Sequence, residues 1–396
     1  MPAIAAAIKT TAIETYVGLF ASDARRIRRR DQQGRPRSPV QDHRAHADAA
    51  LDWLCHAQDV GTDGGVPAMF SLVEGWVGSY PETTGYIIPT LLNVAKSWNR
   101  ADLRGRALAM ADGLLGFQNN DGSFPGSFVG RLTGPRVFNT GQIIFGLLAA
   151  TDETKDAKYL SAARRAGDWL LGVQSPDGAW RKCTLGNIVH VYNVRTAWAL
   201  GRLASAARQP GYLDAAVANA EWALTQQLET GWFAHNAFVA DSDAANLHTI
   251  AYAMQGFLEL GVIAESDRFV NSARRAADAL ADAWSNGSLP GAYRADWSSD
   301  AQWRCLPGEA QVAVVWLRLA QITGERSFRD TAIEVLEQVK SAQFMEPMRP
   351  DWHGGLSGSL PINAPYERYC LVNWGPKFLL DSLFLVEHEH AAIPRG

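Results

Sequence analysis

Two short stretches of this chain, Asn193 with Arg195 and His248 with Tyr252, carry side chains able to hold an anion and move a proton beside it. An imidazole or a phenol can take or return a proton. An amide next to a guanidinium can neutralise a carboxylate through charge-assisted hydrogen bonds. Similar polar clusters recur along the chain: Glu82 and Tyr86, then Arg136 with Asn139 and Gln142, Tyr192 before Asn193, Asn246 before His248, and Trp374 with Lys377. Carboxylates offer a different chemistry. Glu82 opposite Asp241 or Asp243, with Glu309 as a further candidate, would supply the two acids of glycosidic hydrolysis, whose separation sets the stereochemical outcome. Asn is also a good N-cap, and Ser79 with Glu82 and Asn139 with Gln142 fit capping boxes. Capping covers part of these residues but not Arg195, His248, Tyr252, Trp374 and Lys377 together.

The elements that position these clusters follow from a repeat of a little under sixty residues. Six apolar helices close on Gln58, Gln118, Gln174, Gln227, Trp284 and Gln343, and each runs through a Gly-containing turn towards a second apolar helix. A unit of this length cannot bury its apolar face alone, so the copies must stack. Outer helices are expected near 46–58, 103–118, 157–174, 211–227, 266–284 and 327–343, each with a one-sided apolar stripe. Inner helices should begin near 80, 139, 193, 246, 308 and 373 and are apolar nearly all round. Gly85, Gly146, Gly256 and Gly375 would let neighbours approach. The fold expected is all-α, an (α/α)6 toroid or six-hairpin barrel, spanning 46–396, with an N-terminal helical extension over 1–45. Every polar cluster opens an inner helix, so all should meet at one mouth.

Composition sets limits. The 396 residues, 47% hydrophobic and 20% charged, can bury a large core, and a formal net charge of −4 argues against general nucleic-acid affinity. Cys55, Cys183, Cys305 and Cys370 form no CxxC, and His388 with His390 is the one HxH pair, so no metal or other cofactor is expected. No apolar run is long enough to span a bilayer. The N-terminus lacks the order of a signal peptide, so a cytoplasmic location is the default. Five arginines within 25–30 read as a solvated helix end running into a loop.

The stretch from Arg165 and Trp169 to Gln174, Gly178 and Trp180 resembles the QW motif of squalene and related terpenoid cyclases, and implies toroid architecture. Asp241-Ser242-Asp243-Ala244 supplies only two acids of the DxDD that such a cyclase needs. Glu74-Gly75-Trp76 through Ser79–Thr90 resembles proteins of bacterial exopolysaccharide clusters. Uronate lyases and glucuronyl C5-epimerases share the helical toroid, and some use an Asn, His, Tyr and Arg set that Asn193, His248, Tyr252 and Arg195 match in type and placement. These resemblances imply an enzyme acting on an oligo- or polysaccharide, by lyase or epimerase chemistry at a uronate. His248 or a tyrosine such as Tyr192 would take the proton, and Asn193 and Arg195 would neutralise the carboxylate. Tyr86, Asn139, Gln142, Arg136, Asn246, Trp374 and Lys377 are expected to bind substrate. A glycoside hydrolase using Glu82 and Asp243 is the alternative. A glycan-binding toroid without turnover, with Trp76, Trp180, Trp232, Trp297, Trp303, Trp352 and Trp374 as stacking platforms, and a terpenoid-cyclase-like protein also remain.

Overall fold

A computed structural model describes residues 2–240, 242–284 and 287–388. Two helices, α1 (Pro2–Leu19) and α2 (Ser22–Gln32), precede six hairpins. In each hairpin an outer helix leads to an inner one. The pairs are α3 (His43–Val60) with α4 (Pro81–Ser97), α5 (Ala101–Leu115) with α6 (Val137–Thr154), and α7 (Ala157–Gly172) with α8 (Val194–Ala207). They continue with α9 (Gly211–Leu224) and α10 (Leu247–Ile263), α11 (Asp267–Trp284) and α12 (Leu306–Thr323), and α13 (Arg326–Ala342) and α14 (Trp374–Glu387). Each inner helix packs on the next, and α14 packs on α4, which closes the ring. The chain is an (α/α)6 toroid.

Burial follows the expected division. The buried positions of α11 are Phe269, Ser272, Ala273, Ala276, Ala277, Leu280 and Trp284, one face of a helix with 3.6 residues per turn. In α10 every residue from Leu247 to Gly261 is buried, because the outer ring encloses it. Gly85 and Gly146 mark the close crossing of α4 and α6: a Cβ at Gly146 would stand 2.4 Å from the Gly85 carbonyl oxygen. Gly375 instead admits the loop residue Leu356.

The repeated glutamines hold the outer ring together. Gln118 Nε2 donates to the Gly122 oxygen of its own turn at 2.9 Å and to Ala162 of the next outer helix at 2.8 Å. Gln58, Gln174 and Gln227 do the same towards Arg106, Ala215 and Ser272. Gln343 closes the circle onto His46 of α3 at 3.2 Å. Trp284 replaces the amide in the fifth hairpin with an indole N–H to Glu334. The turn glycine must be glycine: Gly354 has φ +83° and its Cβ would lie 1.7 Å from the Ala49 oxygen.

Short strands link the loops at one end of the ring. Besides Met69–Ser71 with Gly75–Trp76, and Pro125–Gly126 with Thr133–Pro135, antiparallel pairs join loops of different hairpins. Ala244–Asn246 pairs with Ala292–Arg294, and Arg304–Cys305 with Ser359–Leu360. Met69–Ser71 also pairs with Cys370–Val372, bridging the first and last hairpins.

The arginine stretch forms the later turns of helix α2, and a loop follows it. Arg25 donates to the Val17 and Gly18 oxygens that end α1, and Arg28 pairs with Glu14 at 2.8 Å. Arg37 and Asp31 form a fully buried ion pair, and Arg37 also reaches the Ala342 oxygen of α13 and Ser357 Oγ. The extension is thereby docked on the toroid.

Candidate active site

All six inner helices run in the same sense, so their first turns converge on one end of the central channel, here called the front. No inner helix has a side-chain N-cap bond. Asn193, Asn246 and Asn373 occupy cap positions without capping, Asn139 lies inside α6, and Ser79 bonds Asp63 instead. The capping boxes expected for Glu82 and Gln142 are therefore not formed. Asn373 is consumed by structure, donating to the Pro67 oxygen and to Thr83 Oγ1.

The front opens into a cavity of about 860 Å³. Glu82, Tyr86, Arg136, Asn139, Tyr192, His248, Tyr252 and Trp374 all line it. Thr10 and Ile13 of α1 form part of its wall, as do Tyr80 and three loop side chains that sequence reasoning did not select, Phe238, Tyr366 and Arg368. The walls are aromatic. His248 and Tyr252 pack with ring centroids 4.2 Å apart and planes tilted by 50°, and Phe138 touches both Tyr252 and Tyr192, at 4.9 and 5.3 Å. Tyr366 packs between Phe238 and Trp374 and accepts the Trp374 indole N–H at 3.1 Å.

Three buried polar groups of the lining lack a hydrogen bond of normal geometry: Tyr86 OH, which faces Tyr252, Asn139 Nδ2, which faces Tyr80, and His248 Nδ1. Leaving such a group unpaired costs about 1–3 kcal/mol, so a cluster of them in one region marks a place that a ligand completes. Electrostatics point the same way. Burial lifts the Glu82 carboxyl to about 7, while Tyr80 and the Arg195 guanidinium pull it down. Burial, with the positive charges of Arg195 and Lys377, pushes His248 down to about 3, so its imidazole is neutral. Tyr252 and Tyr192 are raised by burial and by the Glu82 charge, and stay protonated. At the entrance Arg131 and Arg136 have no ion-pair partner among the described residues, whereas Arg368 pairs with Glu14.

Other expected site residues lie elsewhere, so the single pocket read from the repeat is corrected. Arg195 is 2% exposed and its hydrogen bonds go backwards along the channel, to Gln142 Oε1 at 2.7 Å and to Gln255 Oε1. Lys377 likewise faces the back and pairs with Asp381. Gln142 is spent on Arg195 and on the Phe138 oxygen. Asn193 is buried behind Tyr192 and outside the cavity lining, and Asn246 sits in the strand pairing with Ala292. Asp243 is exposed on the rim and ion-paired with Arg294, too far outside the lining to face Glu82. Asp241 and His390 lie outside the described residues. Glu309 is buried against Arg304. Of the rim tryptophans only Trp374 lines the cavity: Trp180 donates to Leu170, Trp76 to Asp351, and Trp232 packs on Trp297.

Residues 109–301 match the model of the Ulvan lyase N-terminal domain. Among solved structures, the chain is similar to an unsaturated glucuronyl hydrolase specific for heparin (16% identity, TM-score 0.68, covering 88% of this chain and 98% of that one). It is also similar to an unsaturated glucuronyl hydrolase from Bacillus sp. GL1 (14%, TM-score 0.68, 88% and 97%). A third is cellobiose 2-epimerase from Bacillus thermoamylovorans B4167 (11%, TM-score 0.67, 85% and 98%). At these identities the likeness establishes the shared α/α-toroid fold. No curated protein matches significantly by sequence.

Proposed function

We propose that this chain is a carbohydrate-active enzyme that cleaves a uronate-containing glycan by β-elimination in the front cavity. The observation that carries the reading is the set of buried polar groups lacking a well-formed hydrogen bond, Tyr86 OH, Asn139 Nδ2 and His248 Nδ1, that line one cavity with a carboxyl titrating near neutrality. Removing the proton from C5 of a uronate is hard until the adjacent carboxylate is neutralised. Asn139 and the protonated form of Glu82 can each donate to that carboxylate, in the role the sequence suggests for Asn193 and Arg195.

The neutral His248 imidazole then takes the C5 proton. The electron pair forms the C4=C5 bond, the bond from C4 to the leaving oxygen breaks, and the Tyr252 hydroxyl protonates that oxygen. His248, now imidazolium, returns its proton to Tyr252. A resting imidazole held as low as His248 is a weak base, and the incoming negative charge of the uronate raises it. Base and acid stand side by side on one wall, with ring centroids 4.2 Å apart. Both therefore act on one face of the sugar, as suits a glucuronate, whose C5 hydrogen and C4 oxygen share a face. Epimerisation would need the second proton from the opposite face. Arg131 and Arg136 supply positive charge at the entrance for an acidic polymer. The segment similar to the Ulvan lyase N-terminal domain contains Asn139, Tyr192, His248 and Tyr252, so ulvan is the first substrate to test.

The test is incubation with ulvan and other glucuronate-bearing polymers, following ultraviolet absorbance of the conjugated C4=C5 product. Solvent deuterium at C5 without unsaturation would make the chain an epimerase. A second reading is supported by Glu82 itself, since a carboxyl raised to about 7 suits a general acid of hydrolysis. Its partner would be Glu74 or Glu367, which line the same cavity, and not Asp243. New reducing ends without unsaturation would select it.

A further inference from the structure

The channel has a second chamber behind the floor of the front cavity. It is about 400 Å³, within the range of small-molecule pockets, and is lined by the later turns of α4, α8 and α14. Its charged lining is lopsided: Lys96, Arg195, Arg202 and Lys377 against the single carboxylate of Asp381. That carboxylate is already engaged, accepting from Lys377 Nζ and from Thr90 Oγ1. Arg195 has only neutral amides for hydrogen-bond partners, and Arg202 makes no hydrogen bond or ion pair with the described residues.

A buried charge is costly unless paired. Arg195 and Lys377 are 2% and 4% exposed, and burial depresses both, as it does Arg202. Lys96 answers the carbonyl end of α4, which attracts cations, and Arg202 feels the charges of Asp152 and Glu259. That reason does not extend to Arg195 and Lys377, which belong to first turns, where the helix dipole opposes a cation. Their positions converge. The Tyr86 ring has the Arg195 guanidinium carbon at 5.8 Å and Lys377 Nζ at 5.1 Å, and Phe378 has them at 5.7 and 4.2 Å. Beside them Trp198 and Phe145 pack with centroids 4.3 Å apart and provide an aromatic wall.

We propose that this back pocket binds a sugar-sized oxyanion, a free sugar acid or a sugar phosphate. Its carboxylate or phosphate sits among Arg195, Arg202 and Lys377 while its ring packs on Trp198 and Phe145. The site is separate from the elimination chemistry, so either assignment can fail without the other.

Isothermal titration calorimetry on the full chain tests it, with glucuronate and glucose 6-phosphate as probes and glucose as the neutral control. At least one anion is expected to bind and glucose is not. Affinity should survive in the front-cavity variant Asn139→Ala and fall by at least about tenfold in Arg202→Glu, the loss of a charge-assisted hydrogen bond. Arg202→Lys, which keeps the charge, should recover most of it, and Lys96→Glu at the exposed rim should weaken it about threefold. The latter two carry the test if Arg202→Glu does not fold. Which probe wins tells a carboxylate ligand from a phosphate. Absence of binding by both anions, equal binding of glucose, or binding lost in Asn139→Ala but kept in the back-pocket variants would overturn the proposal.

Discussion

The two ends of the channel are built from the same six inner helices and solve opposite electrostatic problems. The front holds neutral donors without acceptors and a carboxyl poised near 7, while the back holds cations in excess of carboxylate. Tyr86 lines both chambers, and the Arg195 guanidinium lies 5.2 Å from the Tyr252 ring centroid. The difference teaches that a toroid separates tasks by depth along its helices. A residue one turn further on, or with its side chain turned the other way, belongs to another chamber.

The largest expected effect is at the front. His248→Ala should lower the elimination rate ~100-fold or more, the usual worth of a positioned general base, and leave anion binding at the back unchanged. An undiminished rate would take the imidazole out of the chemistry. Gly354→Ala should disturb both ends together, because φ +83° and the clash with the Ala49 oxygen break the turn beneath the ring closure. A loss of about 3 kcal/mol in chemical denaturation is expected, and one below about 1 kcal/mol would show that the turn relaxes.

Glu82→Gln sharpens the contrast. A carboxyl raised to about 7 is active here when protonated, so wild-type kcat/KM should fall as pH rises through about 7. The Gln variant, which still donates to a carboxylate, should retain activity within about tenfold and lose that limb. Near-complete inactivation would favour hydrolysis with Glu82 as the acid. Stability follows the same sign. The folded carboxyl is raised above its unfolded value, so its contribution is full below about 4.5 and is lost as pH rises through about 7.

Tyr86→Phe removes the unpaired hydroxyl at the front while keeping the ring that the back shares. Elimination should slow about threefold to tenfold with no change in oxyanion affinity. A matching loss at both ends would mean that the chambers are coupled. The smallest effect is expected for Asp243→Asn, whose exposed ion pair with Arg294 stands outside the lining, so kcat/KM should stay within about twofold.

The ring itself was legible in the sequence because its signals are local and repeated. A stripe such as Phe269, Ala273, Ala276, Leu280 and a Gln followed by a turn glycine need no knowledge of distant partners. The expected outer helix at 157–174 corresponds to Ala157–Gly172. The gathering of Tyr86, Asn139, Tyr192, His248 and Tyr252 at the front follows from equivalent first turns. What was hidden depends on side-chain direction and on loops outside the repeat. Nothing in the spacing tells that Arg195 and Lys377 turn backwards, towards Gln255 and Asp381. Phe238 and Tyr366 come from connections with no repeated pattern. Most of the rim tryptophans resemble sugar platforms in sequence, yet Trp180 and Trp76 are occupied in holding loops down.

The closure of the ring also has a consequence for what it costs to complete. Its last link, Gln343 to the His46 oxygen, joins residues 297 positions apart. Neighbouring hairpins meet across far shorter stretches of chain, so this last link carries the largest loop-closure cost around the ring. Arg37, paired with Asp31 on the N-terminal side, reaches across to the Ala342 oxygen and to Ser357 of the sixth hairpin. The N-terminal extension is thus a latch across the seam. By tying the first and sixth hairpins together it offsets part of that closure cost.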